Sequence, residues 1–166
     1  MLALEIKSMK ILMSQLLTGD SFDSFLLQEA VLHTAVSYHI DGRLNLDFYP
    51  EEERGEDLHP YEFQPWSEAR EYLFLLIRGH NTPTAFRFVL QLKPDSAEAM
   101  LKKELPEGDF SEVRSLVINL SYENGKATIT TGTSYNTFVM DHTADQIWDR
   151  NFTRFLGLKG IPFELL

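Results

Sequence analysis

The sequence predicts an α+β fold in which helices pack on one face of a mainly antiparallel sheet. Three observations carry this expectation. Apolar residues alternate with period two over several short runs that Gly-containing turns interrupt. Apolar stripes at helical spacing lie between those runs and stop at glycines. No cysteine is present, so the 43% of hydrophobic side chains has to build a core without cross-links. A chain of 166 residues fits one compact domain, residues 1–166.

Taken in order, "LALEI" reads as a short strand, followed by a helix over residues 8–17 with Met9, Leu12, Met13, Leu16 and Leu17 on one face and Gly19 at its end. Residues 30–40 read as a single strand, with Ala30, Leu32, Thr34, Val36, Tyr38 and Ile40 on one side. Asp41-Gly42 then turns the chain, and residues 43–49 return with Leu44, Leu46 and Phe48 facing that side. A two-residue turn would set Ile40 against Arg43 and mix the faces, so a longer turn or a bulge is expected there. An acidic loop leads to a short strand near residues 61–63 and a helix over 67–78, stopped by Gly79.

After the "HNTP" linker, residues 84–92 alternate, with Phe86, Phe88, Leu90 and Leu92 on one face. A helix over 96–105 is expected to be opened by Pro94 and a capping box of Asp95 and Glu98, and to bury Ala97, Met100, Leu101 and Leu105. "LSYENGKATIT" is a hairpin signal. Asn124-Gly125 suits the two positive-φ positions of a type I′ turn, which sets Leu120 against Ile129, Ile118 against Thr131 and Ser121 against Thr128. A third strand over 135–140 and a helix over 144–156 follow, the latter with a capping box of Thr143 and Gln146 and an end at Gly157. Trp66 and Trp148 are expected as core anchors. The order strand, helix, hairpin, strand, helix thus occurs twice, as units 1–79 and 84–157, although α+β proteins reach such an order by chance as readily.

Composition narrows the function. The net charge is −10, with fourteen acids against six Lys and Arg in residues 1–79. No basic footprint of the kind that neutralises phosphates is visible, so nucleic acid is not expected as a partner. No apolar run nears the ~20 residues of a membrane helix, and Glu5 and Lys7 interrupt the apolar N-terminal segment. No membrane association is expected, and the cytoplasm is the expected compartment.

Site chemistry is sparse. His33 and His39, on one strand, would stand about 20 Å apart and cannot share a metal. His59 with Glu56 and Asp57 has cation-ligand types without ligand spacing, and reads as a solvated loop. No metal and no cofactor are expected. Asp141, His142 and Asp145 gather where a helix begins, which capping and the helix dipole explain; His142 with either carboxylate is the first candidate for acid–base work. "RGHNTPTAF" holds Arg78, His80 and Asn81 beside Pro83, and reads as a helix stop and turn. Phosphate loops, nucleophile elbows, zinc-protease helices and dinucleotide fingerprints are absent.

The segments "IRGHNTPTAFRFVLQL", "YENGKATITTGTSYNTF" and "FLGLKGIPFELL" resemble a family of small uncharacterised bacterial proteins. The resemblance implies a soluble protein of this size and carries no activity, cofactor or functional residue. The expected role is a non-catalytic interaction or scaffold module, pairing with itself or another protein through outward residues such as Val89 and Val117. The alternative is a small-molecule binder or enzyme with a site between the units, using Arg78, His80, Asn81 or His142.

Overall fold

The computed structural model describes all 166 residues. The fold is α+β: one antiparallel sheet of eight strands and four helices. The strands are β1 (Ala3–Ile6), β2 (Phe25–His33), β3 (Ser37–Asp41), β4 (Gln64–Pro65), β5 (Ala85–Leu92), β6 (Val113–Glu123), β7 (Lys126–Tyr135) and β8 (Phe163–Leu165). The helices are α1 (Met9–Met13), which continues as a π turn over Ser14–Thr18, α2 (Trp66–Ile77), α3 (Pro94–Glu104) and α4 (Thr143–Leu158). Strand order is β3-β2-β5-β6-β7-β1-β8, with β4 beside β2 on the edge it shares with β3.

The β6/β7 hairpin has the expected register. Leu120 pairs with Ile129, Ile118 with Thr131 and Ser121 with Thr128. Asn124 and Gly125 take positive φ values of 53° and 78°. Leu120, Ile129, Ile118 and Ala127 are buried, while Ser121 and Thr128 share a hydroxyl hydrogen bond of 3.0 Å on the other face. A Cβ at Gly125 would meet nothing within 4 Å. Gly125→Ala should therefore cost only the left-handed backbone term, about 1 kcal/mol, read as a small fall in the urea midpoint. A loss several times larger would contradict this turn.

Residues 25–49 depart from expectation. What reads as one strand over 30–40 is a hairpin: β2 and β3 are joined by Thr34, Ala35 and Val36, and His33 pairs with Ser37. An odd three-residue loop keeps parity, so Ala30 still meets Ile40 and Leu32 still meets Tyr38. The alternation runs through the turn and hides it. Asp41-Gly42 closes no hairpin. Asp41 Oδ1 instead accepts from the Arg43 backbone at 2.9 Å, and Gly42 donates to the Gln28 carbonyl at 2.9 Å, where β2 is bulged between Leu27 and Glu29. Residues 43–49 form no return strand, because β4 occupies the edge of β2 at Leu26 and Leu27. Only Arg43 makes a bridge, to Phe63; Leu46–Phe48 and Glu51–Glu53 are single 3₁₀ turns, and Phe48 is exposed.

Helix starts also differ. Pro94 opens α3 as expected, but the N-cap is Lys93 and Asp95 does not cap; it accepts from the Tyr61 hydroxyl at 3.2 Å, and Glu98 pairs with Lys102 at 2.6 Å. At α4, Asp141 Oδ1 accepts from the Thr143 amide at 2.9 Å and the Thr143 hydroxyl at 2.6 Å, which replaces the expected Thr143 and Gln146 box. The helix passes Gly157 and turns at Gly160. Residues 136–140 are a loop, not a strand, and β8 was not anticipated: it pairs with β1, Leu4 opposite Leu165.

All four helices lie over one face of the sheet. Trp66 packs on Phe88 at a ring separation of 5.7 Å and donates from Nε1 to the Leu16 carbonyl in the π turn at 2.8 Å. Trp148 donates from Nε1 to the Val117 carbonyl at 3.0 Å and sits in a cluster with Phe25 and Phe152. Ala97 and Leu101 bury the inner side of α3. Both tryptophans are the core anchors the sequence suggests. The strand order does not part the chain between residues 79 and 84: β2 and β3 lie on one side of β5, β6 and β7, and β1 on the other. No helix is long and apolar enough to cross a membrane.

Candidate functional site

Three places on this fold gather chemistry-bearing side chains. The first is a cavity of about 450 Å³ bounded by α1 and its π turn, the C-terminal end of α2, Arg78, Thr82, Pro83 and the adjoining ends of β5 and β6. Its walls are apolar: Met9, Met13 and Leu17 from the first helix, Phe74 and Ile77 from α2. Its floor includes Phe86 and Tyr122, stacked at 5.2 Å across neighbouring strands. Lys10 and Arg78 stand at its rim, both exposed. A cleft of similar size, about 460 Å³, lies between α3 and residues 108–115; its lining mixes apolar and polar side chains, and the exposed Glu98–Lys102 ion pair stands at its edge.

The second place is the start of α4. His142 Nδ1 lies 3.0 Å from Asp145 Oδ2, and the Tyr135 hydroxyl donates to the same oxygen at 2.8 Å. Burial, together with the neighbouring Asp145 carboxylate, holds the Tyr135 hydroxyl well above the ordinary phenol range. Burial pushes the Asp145 carboxyl upward, but donation from Tyr135 and His142 outweighs it, and the group rests below the usual carboxylate range. The expected His142 and Asp145 pair is thus formed. The space beside it, about 30 Å³ next to Tyr135, Asp141 and Ala144, is far smaller than the roughly 300 Å³ at which small-ligand sites begin. The pair ties the end of β7 to the first turn of α4.

The third place is the sheet face away from the helices. Val31, Val89 and Val117 run diagonally across it, since Val31 pairs with Arg87, Val89 with Asn119, and Val117 with Gly132. Asn119, Ser121, Thr128 and Thr130 fill the neighbouring positions, all half-buried. Part of the charge on this face is paired, Arg87 with Glu29 at 2.8 Å and Glu5 with Lys7 at 3.1 Å, whereas Asp41, opposite Glu29, and Glu123, opposite Lys126, make no ion pair. His33 and His39 also meet here, their rings 6.3 Å apart, because they belong to two strands of one hairpin. The 20 Å separation expected from a single strand is therefore wrong. No group of three or more potential metal-ligating side chains is present.

The candidates named from sequence do not converge. Arg78 lines the apolar cavity. His80 and Asn81 follow it on the exposed turn and do not line that cavity. His142 is at the far end of the sheet. Tyr122 in the cavity floor and Val113, which pairs with Tyr135, lie nine residues apart on β6, about 30 Å. Lys10 was not anticipated. Its signal was the breadth of the first helical stripe: Leu12 and Leu16 are fully buried toward the sheet, whereas Met9 and Met13 are only half-buried and face the cavity.

A family model described as "Family of unknown function (DUF5721)" matches residues 15–164. No curated protein and no solved structure matches the chain.

Proposed function

We propose that this chain, which belongs to the family of unknown function DUF5721, is a non-catalytic association module that pairs with a second copy of itself through the uncovered face of its sheet. The make-up of that face supports the reading. A broad sheet surface carries a valine stripe at its centre and small uncharged residues around it, and the charges nearest that stripe, Arg87 and Glu29, are paired with each other. A contact centred on that stripe buries no lone charge, the condition that most often defeats contact between acidic molecules, while Asp41 and Glu123 stay at the rim of the face. The chain's acids crowd elsewhere, as in the exposed turn Glu51–Glu53. Phe138 and Met140, 90% and 85% exposed between β7 and α4, are further apolar groups with area to lose on contact. We place the protein in the cytoplasm, a setting that suits a chain without cysteine.

Sedimentation across a wide concentration range tests the reading. The wild-type chain should self-associate in the micromolar range, and Val89→Lys combined with Val117→Lys should leave monomers of nearly unchanged thermal midpoint. A single monomer mass at every concentration would sink the proposal. Dissociation by Phe138→Ser but not by the lysine pair would move the contact to the loop and equally refute the sheet face.

A further inference from the structure

We infer that the cavity between α1 and α2 takes a free amphipathic carboxylate, its apolar body seated on the stacked Phe86 and Tyr122 and its head group between Lys10 and Arg78. Four observations converge. The volume of about 450 Å³ falls within the roughly 300–1,000 Å³ typical of small-ligand sites. The walls are methionine and aromatic surface, which adapts to chains and rings of varied shape. Lys10 and Arg78 have no carboxylate partner anywhere in the chain.

No acidic residue lines the cavity, although the chain has twenty-five of them and a net charge of −10. A mouth that is positive on an acidic molecule attracts anions locally while its surroundings repel them, so the anion has to enter where an apolar body is also rewarded. The hydroxyls of Ser14 and Thr82 stand on the same rim and add hydrogen-bond donors for a carboxylate. Two cations and two hydroxyls suit a single carboxylate better than a polyphosphate, which calls for a cradle of backbone amides.

The fourth observation is the helix itself. Over Ser14–Thr18 it opens into a π turn, with the Gly19 amide donating to the Ser14 carbonyl at 2.8 Å and the Thr18 hydroxyl donating to the same oxygen at 2.9 Å. Single π turns recur beside ligand sites because the wider turn displaces one side chain from its helical row. Here Ser14, Leu17 and Thr18 of that turn all line the cavity, while Leu16 of the same turn goes to the core and its carbonyl is taken by Trp66.

Calorimetric titration of the full chain with decanoate and decyltrimethylammonium below their micelle concentrations, and with decanol below its solubility limit, tests the inference. Decanoate should bind one per chain and raise the thermal midpoint. Decanol and the cationic amphiphile should bind at least about tenfold more weakly. Lys10→Glu combined with Arg78→Glu alters only exposed side chains; it should keep the native circular dichroism spectrum, lose decanoate affinity about tenfold or more, and gain affinity for the cationic amphiphile. Absence of decanoate binding, equal binding by the double variant, or equal binding of decanol would each overturn the assignment. Sedimentation of the protein with anionic vesicles, abolished by the same double variant, would reassign the site to a membrane surface and overturn the free ligand.

Discussion

Gly42→Ala should destabilise the fold by about 3 kcal/mol or more, lowering the denaturant midpoint far beyond the small effect expected of Gly125→Ala. A Cβ on residue 42 would lie 1.8 Å from the Leu27 carbonyl oxygen and 2.7 Å from its carbon. Neither partner can yield easily. Gly42 is fixed by its amide on the Gln28 carbonyl and by its own carbonyl, which accepts from Gln64 at 2.8 Å. Leu27 belongs to β2, which is hydrogen-bonded to β5 on its other side. The added methyl must therefore break the junction of β3 with β4 or push β2 off β5. A measured cost below about 1 kcal/mol would mean that the chain does not pass this close to the bulge.

Trp66→Ala should be comparably severe, about 4 kcal/mol, because truncating a fully buried indole leaves a cavity its neighbours fill only in part. Trp66→Phe separates the two contributions. It keeps most of the contact with Phe88 but leaves the Leu16 carbonyl without its donor, at a cost of about 1–3 kcal/mol. Equilibrium unfolding in urea reads both. A phenylalanine variant as unstable as the alanine variant would show that the hydrogen bond to the π turn, not indole volume, carries the effect. An alanine variant within about 1 kcal/mol of the wild type would place the indole outside the core.

How legible the sequence was depended on how local its signals were. The β6/β7 hairpin could be read to the residue, because Asn124-Gly125 accepts a backbone conformation few other pairs tolerate and period-two alternation then sets every partner. The β2/β3 turn could not. Thr34, Ala35 and Val36 contain no glycine or proline, and their odd number leaves the alternation in phase. The start of β2 was missed for a related reason: Phe25, Leu26 and Leu27 are all buried, so no polar residue marks a solvent side. Asp41-Gly42 has hairpin chemistry but serves as a close-packing point against β2, which only the tertiary fold determines. The caps failed by a short displacement, with Asp141 bonding where Thr143 was expected to act. Of the candidate site, Arg78 was visible as a residue, but its cavity is assembled from segments more than a hundred positions apart, Met9 to Tyr122. The amphipathic breadth of the first helix was the one local trace of it.

The place of β1 in the sheet bears on how the molecule is made. Ala3 pairs with Thr130 and Ile6 with Ala127, so this strand leaves the ribosome long before the edge it must join exists, a wait of roughly ten seconds at ordinary elongation speeds. Until then Leu4 and Ile6 have no sheet to cover them and are exposed to chaperones or to the edges of other nascent chains. Pairing at such sequence distance also slows refolding of the finished polypeptide, since a long loop must close before any contact is gained.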